Sequence, residues 1–263
     1  MLLLTQSTQE AGSAAQATAA LGDKASPGFV LPASAMAITH ADRQEMIDNL
    51  VNSLTPKNGH DVEADLRNVL LTVHVPQEVE DRLEEAFEKL EKPVLMRLSP
   101  LGAVADPLAP TIVMGLRDMK SVLDALRMLY AEMYTAKNIA ASESRSAAVI
   151  MQTMPIAVQS YRVIKNGAST IIEGAYGYGA WVGYGEPDRF LFHDFSLVKS
   201  EPGDLRGIFW EEEFIEEARR HITDDDAKAA LIASAELGDA PLLLARTPDG
   251  SFKCLGCLPS VDR

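Results

Sequence analysis

Ala147-Ala-Val-Ile-Met-Gln-Thr-Met154 is the stretch of sequence that decides the fold. It is short, almost wholly apolar and stopped by Pro155, a pattern that is typical of a buried strand. Two more strands are predicted directly after it, at residues 158–164 and 170–173. The tripeptide Lys165-Asn-Gly167 between them is suited to a tight turn. The middle of the chain is therefore predicted to contain a β-hairpin.

Outward from this centre, helical and extended patterns alternate in both directions. Apolar residues at helical spacing predict helices, and short apolar runs bounded by turn residues predict strands. Predicted helices cover residues 42–54, 78–91, 119–133, 212–221 and 224–237, and predicted strands cover 93–97, 111–115, 190–195, 241–246 and 251–255. Residues 6–20 are compatible with either a helix or a loose arm. The mixture predicts an α/β (α+β mixed) chain in two lobes, residues 1–140 and residues 141–263.

Composition and charge restrict the function. The chain has 263 residues and a formal net charge of -14. Because an acidic surface repels phosphate backbones, nucleic-acid binding is not expected. No apolar run approaches the roughly 18 residues of a membrane-spanning helix, so no membrane partner is expected and a cytoplasmic location is predicted. The two cysteines are too few for a disulfide framework, and the lone Cys254-Leu-Gly-Cys257 motif lacks the second pair that zinc needs.

Several short motifs occur in an order known from one family. They are Leu21-Gly-Asp-Lys24, Pro27-Gly-Phe-Val-Leu31, Arg97-Leu-Ser99, Val149-Ile-Met-Gln-Thr-Met154, Ile172-Glu-Gly-Ala-Tyr-Gly-Tyr-Gly-Ala180 and Pro187-Asp-Arg-Phe190. In this order the chain resembles the N-terminal ATP-grasp domain of phosphoenolpyruvate synthase and pyruvate phosphate dikinase. The resemblance covers most of the chain and implies a two-lobed, ATP-grasp-like domain.

The resemblance also implies a nucleotide site, with ATP as its cofactor. Lys24 and Arg97 match the cations that contact the phosphates, and Gln152 and Met154 match the strand that cradles adenine. Glu173 matches a carboxylate ahead of the glycine-rich stretch at residues 174–185. Each has a structural alternative: a surface lysine, a strand-end arginine, an ordinary core strand, and tight turns between strands.

The last two predicted strands depart from the family pattern. The family's metal-handling glutamate falls at Leu243 or Leu244, and its final glutamine and arginine fall on Gly256 and Leu258. An apolar side chain cannot hold a divalent cation, so magnesium is not expected and no catalytic or metal-binding residue is assigned.

Three hypotheses follow. The first is a degenerate ATP-grasp-like protein that acts as an accessory or regulatory subunit, with weak or no ATP binding. Its partner would be another protein, such as a catalytic dikinase-like subunit, or a second copy of itself. The second is an active phosphotransferase component that phosphorylates a histidine on a separate protein, and the third is a scaffold without a ligand. The apolar terminal strands, with Leu242, Leu243, Leu244, Leu255 and Leu258, are expected either to be closed over by the chain itself or to be covered by a partner.

Overall fold

The structure is a computed structural model that describes residues 2–4, 9–102, 104–106, 111–141, 145–182, 186–204 and 220–259. Among these, residues 2–16 and 27–154 form one compact unit, and residues 17–26 and 155–259 form a second. None of the helices within these ranges is both long enough and apolar enough to cross a bilayer.

The first unit is built on a five-stranded antiparallel sheet. Its strands are β1 (Leu2–Leu3), β2 (Gly28–Leu31), β3 (Val94–Pro100), β4 (Ile112–Leu116) and β5 (Ala147–Thr153), in the order β1-β2-β5-β3-β4. The deciding stretch is thus β5, which is hydrogen-bonded to β2 on one side and to β3 on the other. Its residues are buried up to Gln152, as its apolar composition predicts.

Helices supply most of the core of this unit. They are α1 (Gly12–Ala20), whose last residues belong to the second unit, α2 (Ser34–His40), α3 (Gln44–Asn52), α4 (Gly59–Leu71), α5 (Gln77–Lys89), α6 (Met119–Glu132) and α7 (Ala136–Ala141). Their apolar faces meet Met96, Val149 and Met151 on one side of the sheet. Burying each such side chain is worth about 1.5–3 kcal/mol. Helix α6 begins with a capping box, in which Asp118 accepts from the Ser121 amide.

The second unit is built on a six-stranded antiparallel sheet. Its elements are β6 (Gln159–Asn166), β7 (Ser169–Tyr176), α8 (Gly179–Val182), β8 (Asp188–His193), β9 (Ser196–Glu201), α9 (Asp224–Ser234), β10 (Leu242–Arg246) and β11 (Phe252–Cys257). The strand order is β11-β10-β6-β7-β8-β9. One side, here called the helix face, packs Tyr161, Val163 and Ile172 against α9. The opposite side, here called the charged face, carries Arg162 and Glu173.

The structure confirms the mixed α/β class, the hairpin at β6 and β7, and the helices α3, α5, α6 and α9. Of the two alternatives left open for residues 6–20, residues 12–20 form the helix, and residues 6–8 lie outside the described residues. The chain passes from the first compact unit to the second after Met154, because β5 is hydrogen-bonded between β2 and β3 and so lies with the first unit; the lobe bounds 1–140 and 141–263 stay a prediction. The helix predicted at residues 212–221 falls almost wholly on residues 205–219, which lie outside the described residues.

A strand, a turn and the start of helix α8 account for the described glycines of the glycine-rich stretch. Gly174 lies inside β7, where an added Cβ would come 2.9 Å from the Tyr161 ring. Gly177 has a φ of 59° and ends the strand, and its amide donates to the Val158 carbonyl. Glycine is required at Gly174 by close packing and is favoured at Gly177 by a left-handed turn. Residues 183–185 lie outside the described part of the chain.

Candidate functional site

Arg97 and Gln152 are brought together inside the first unit. Arg97 lies on β3 opposite Ile150, and Gln152 lies two residues further along β5 on the same side of the sheet. The Nε of Arg97 donates a hydrogen bond of 3.1 Å to Oε1 of Gln152. Only 2% of Arg97 and none of Gln152 is exposed. A buried guanidinium must be hydrogen-bonded, and this bond supplies part of that requirement.

Gly28 explains how Gln152 fits at this position. The two residues are paired across β2 and β5. A Cβ at Gly28 would lie 2.6 Å from Cγ of Gln152 and 2.5 Å from the Met151 carbonyl oxygen. Because both distances are too short for any side chain, the backbone of β2 itself forms the wall beside Gln152. The Pro-Gly-Phe-Val motif therefore has a packing role that its sequence alone does not reveal.

Met154 follows β5 directly and is also buried. Its amide donates to the Pro93 carbonyl oxygen at 2.9 Å, and 5% of the residue is exposed. Met154 therefore behaves as a core residue at the end of the strand, like its neighbours along β5.

Lys24 belongs to the second unit and is exposed. It ends the short 3-10 turn Gly22–Lys24, and its Nζ donates to the Glu236 carbonyl oxygen at 2.9 Å. This contact lies beside a cavity of about 360 Å³ within the second unit. The cavity is lined mainly by small and apolar groups, which include Ala17, Leu21 and Cys257. Lys24 thus stabilises the turn after α9 through a backbone acceptor.

Glu173 lies in a row of alternating charges on the charged face. Strand register aligns Arg162 of β6, Glu173 of β7, Arg189 of β8 and Glu201 of β9 across four strands, and these four residues are here called the charged row. Arg162 Nη2 lies 2.9 Å from Glu173 Oε2, and Arg189 Nε lies 3.8 Å from Glu173 Oε1. The side chain of Glu173 is 16% exposed. Two arginines therefore neutralise this carboxylate.

The charged row distinguishes the two leucines, Leu243 and Leu244, at which the resemblance placed a glutamate. Leu243 pairs with Arg162 on one side and with Gly256 on the other, so it extends the row onto β10. Leu244 pairs with Tyr161 and packs into the core on the helix face. A carboxylate at position 243 would have lain beside Arg162, whereas one at 244 would have entered the core. Of the two positions, 243 is thus the one that lies beside Arg162 on the charged face.

The apolar terminal strands are buried within the chain itself. Exposure does not exceed 1% at any of the five leucines, Leu242, Leu243, Leu244, Leu255 and Leu258. Of the two alternatives expected for these residues, the structure shows the first: the chain itself covers the leucines, so they offer no exposed surface to a partner. The Leu258 amide also donates to the Pro241 carbonyl oxygen at 2.8 Å, which fixes the segment after β11.

A β-bulge places both cysteines on the helix face. Leu243 pairs with Gly256 but Leu244 pairs with Cys254, so Leu255 is an extra residue in β11. Gly256 has a φ of 135°, which favours glycine. Cys254 and Cys257 would alternate between faces in a regular strand, but here both join the core beside α9. No group of three or more metal-ligating side chains occurs among the described residues.

The predicted site residues are divided between the two compact units. Arg97, Gln152 and Met154 lie in the first unit, and Lys24 and Glu173 lie in the second. Arg162 was not among the predicted residues. Counting outward from the predicted turn at Lys165-Asn-Gly167 would pair position 162 with position 170, whereas the observed turn at residues 167–168 pairs Arg162 with Glu173. The cross-strand ion pair therefore depends on a register that the predicted turn did not give.

Comparisons with known proteins give limited similarity. The sequence matches no family model, and it matches none of the curated proteins. Among solved structures, dinucleotide-forming acetyl-coenzyme A synthetase 1 of Ca. Korarchaeum cryptofilum aligns with a TM-score of 0.34 and 13% identity, over 68% of this chain and 82% of that one. The ADP complex of purK, N5-carboxyaminoimidazole ribonucleotide synthetase, aligns with a TM-score of 0.29 and 18% identity, over 70% and 39%.

The ATP-grasp ligase PsnB is a further similar structure, with a TM-score of 0.24 and 10% identity, over 70% of this chain and 43% of that one. At TM-scores this low, these overlaps by themselves establish neither the family of the chain nor its function. The class that the structure itself defines is a mixed α/β chain of two units, each with an antiparallel sheet.

Proposed function

We propose that this chain is a degenerate ATP-grasp-like protein of the phosphoenolpyruvate synthase and pyruvate phosphate dikinase type. In this proposal it acts as an accessory or regulatory subunit and binds ATP weakly or not at all. The observation that carries the proposal is the state of the predicted site: Arg97 is buried and bonded to Gln152, and Leu243 extends the charged row where a carboxylate would be needed.

The residues present do not fit ATP and magnesium. Binding a triphosphate requires cations that can reach it, and magnesium requires carboxylate oxygens. Arg97 is not accessible at 2% exposure, and Lys24 is bonded to the Glu236 carbonyl. Glu173 is held by Arg162 and Arg189, so it offers a metal less negative charge than an unpaired carboxylate would. No step of phosphoryl transfer is therefore assigned to these residues.

We propose the accessory role because the chain keeps the fold that the resemblance implies but lacks residues that the implied nucleotide site needs. The resemblance covers most of the chain, whereas the departures are concentrated at Leu243, Gly256 and Leu258. A binding role needs the folded surface alone, and mutations in the nucleotide site do not impair it. The partner in this proposal is either a catalytic dikinase-like subunit or a second copy of the chain.

Nucleotide titration tests this proposal directly. We expect calorimetry to show no saturable ATP binding up to about 1 mM, with or without magnesium, and no conversion of ATP to AMP with pyruvate present. The unbound state has a physical cause, because without reachable cations and carboxylates the triphosphate stays better solvated in water. A second measurement adds the chain to an intact dikinase-type enzyme of the same organism and follows co-elution and rate.

Two substitutions distinguish the alternatives. Lys24→Ala removes the predicted phosphate cation, and Lys253→Ala removes an exposed lysine on β11 as a matched control. Magnesium-dependent formation of AMP that is lost in Lys24→Ala and kept in Lys253→Ala would overturn the proposal. It would favour an active phosphotransferase component that phosphorylates a histidine on a separate protein.

A further inference from the structure

Within the part of the chain that the structure describes, the outer edge of the second sheet is open along β9. This strand ends the sheet, and all six of its residues are exposed. The turn before it, Asp194 and Phe195, has φ angles of 45° and 64°, typical of a tight hairpin. Three large apolar residues are exposed here: Phe195 at 53%, Leu197 at 38% and Val198 at 61%. Within the described residues, no strand pairs with the free side of β9.

The other edge of the same sheet is covered. Ala25 forms a parallel bridge with Cys254 on β11, and the Ser26 amide donates to the Cys254 carbonyl oxygen at 2.7 Å. Exposed edge strands are sites of unwanted pairing, and natural sheets cover or block them. The second sheet therefore has one covered edge strand, β11, and one exposed edge strand, β9, and β9 is the one that can accept a further strand.

The charges on β9 determine which partner fits. Lys199 and Glu201 lie two residues apart on the charged face, where they form an ion pair, and Glu201 also ends the charged row. A lone lysine on an edge strand repels a second copy of itself and so prevents pairing. A lysine and a glutamate placed symmetrically about Ser200 have the opposite effect when two copies meet antiparallel, because each charge then faces its opposite.

We propose that β9 pairs antiparallel with β9 of a second copy of this chain, with Ser200 on the twofold axis. Lys199 then faces the partner's Glu201, and Glu201 faces the partner's Lys199. The alternating signs of the charged row, Arg162, Glu173, Arg189 and Glu201, continue across the axis with the partner's Lys199. Backbone hydrogen bonds supply the affinity and the two charge pairs fix the register.

This inference concerns a surface of the second unit and needs no nucleotide, so it goes beyond the proposed function. A second copy is favoured over an unrelated protein because the pattern is self-complementary about one residue. A contact made by one short strand and a few apolar side chains is small, so the dimer is expected to be weak and concentration-dependent. The pairing is isologous and closes after two copies.

Charge exchange tests the proposal. Sedimentation equilibrium or light scattering follows the mass of the wild-type chain from about 1 µM to about 1 mM, where we expect reversible dimer formation. Lys199→Glu and Glu201→Lys each place like charges opposite one another, and we expect each to weaken the dimer by about tenfold or more. The double variant Lys199→Glu/Glu201→Lys exchanges the signs and should restore wild-type association.

Mixing provides a sharper test of the register. The Lys199→Glu chain carries two glutamates and the Glu201→Lys chain carries two lysines, so an equimolar mixture should associate more tightly than either chain alone. Lys253→Glu on the covered edge strand β11 is the matched control and should associate as the wild type does. A wild-type chain that stays monomeric throughout, single variants that associate like the wild type, or a double variant that fails to recover would each overturn the proposal.

Discussion

His40 is a buried histidine whose charge state is set by its surroundings. It is 2% exposed at the end of α2, its ring is in edge contact with Tyr130 and Tyr134, and the Tyr134 hydroxyl lies 3.5 Å from Nδ1. Burial lowers the pKa of His40 from 6.5 to about 4. The imidazole is therefore neutral in the folded protein at neutral pH, because the charged form would have to give up its hydration.

We expect this histidine to make stability fall on acidification. Between pH 6.5 and pH 4 the unfolded chain binds a proton at His40 that the folded chain does not, so the unfolding free energy decreases as the pH falls through this window. The loss from this one group is on the order of 3 kcal/mol and levels off below about pH 4. Urea denaturation at a series of pH values measures it.

His40→Gln should flatten this pH dependence, whereas His74→Gln, at an exposed histidine, should leave it unchanged. Equal slopes in His40→Gln and the wild type would show that other groups cause the acid sensitivity. The neighbouring tyrosines do not contribute in this window, because burial raises the pKa of Tyr134 to about 12 and that of Tyr130 higher still.

Single residues also show how far sequence could predict the candidate site. The resemblance assigned Arg97 and Gln152 to one nucleotide site but to different predicted lobes, and the structure places both residues in the first unit. Their direct bond could not be predicted, because it depends on the stagger of β3 against β5 and on the missing side chain of Gly28. Sequence motifs indicate which residues belong to a candidate site. Whether their side chains are free to contact a ligand or are hydrogen-bonded to each other depends on how the strands pack, which the motifs do not show.

Strand β10 carries a testable difference between two neighbouring leucines. Leu243 and Leu244 are equally buried, at 0% and 1% exposure, but Leu243 pairs with Arg162 on the charged face and Leu244 packs in the core on the helix face. We expect Leu244→Glu to lower the unfolding free energy by about 4 kcal/mol or more, because an unpaired charge enters the core. Leu243→Glu should cost about 2 kcal/mol less, since Arg162 can pair with it.

Urea denaturation of both variants measures this difference, with Leu243→Gln and Leu244→Gln as uncharged controls of the same shape. The glutamine controls separate the cost of losing a leucine from the cost of adding a charge. If the two glutamate variants lost equal stability, the assignment of position 243 to the charged face would be contradicted.

Elements were predictable in proportion to their apolar periodicity. Helix α5 and strand β5 have strong patterns and were predicted nearly to their ends. Strand β9 was missed because a wholly exposed edge strand has no buried face and therefore no alternation in its sequence. Helix α4 was not predicted, although its buried residues Val62, Leu66 and Leu70 recur at helical spacing.

The whole molecule carries a large negative charge, which acts on stability without regard to any single contact. The formal net charge is -14, and like charges held close together in the folded state repel one another. Salt screens this repulsion, so raising sodium chloride from about 0.05 M to about 0.5 M should raise the melting temperature by roughly a few degrees. Differential scanning calorimetry measures it.

A matched salt series in sodium chloride and in choline chloride controls for specific ion binding, because both salts screen charge equally. A melting temperature that falls with both salts would show that attractive pairs such as Arg162 and Glu173 outweigh the net repulsion.

The division of the chain into two compact units is also a property of the whole molecule. Composition could not locate it, because β5 belongs to the first unit through its hydrogen bonds to β2 and β3.

The bulge in β11 has a consequence for tracing the ancestry of this chain. An ancestor with a regular strand would carry one residue fewer there, so an alignment without a gap at Leu255 would compare each later position with a residue on the wrong side of the sheet. Once inserted, the extra residue is hard to remove, because deletion would turn Cys257 out of the core. Substitution of the neighbouring Gly256 is also restricted, since its backbone φ of 135° favours glycine over other residues. The bulge can therefore serve as a heritable marker of descent after the surrounding sequence has diverged.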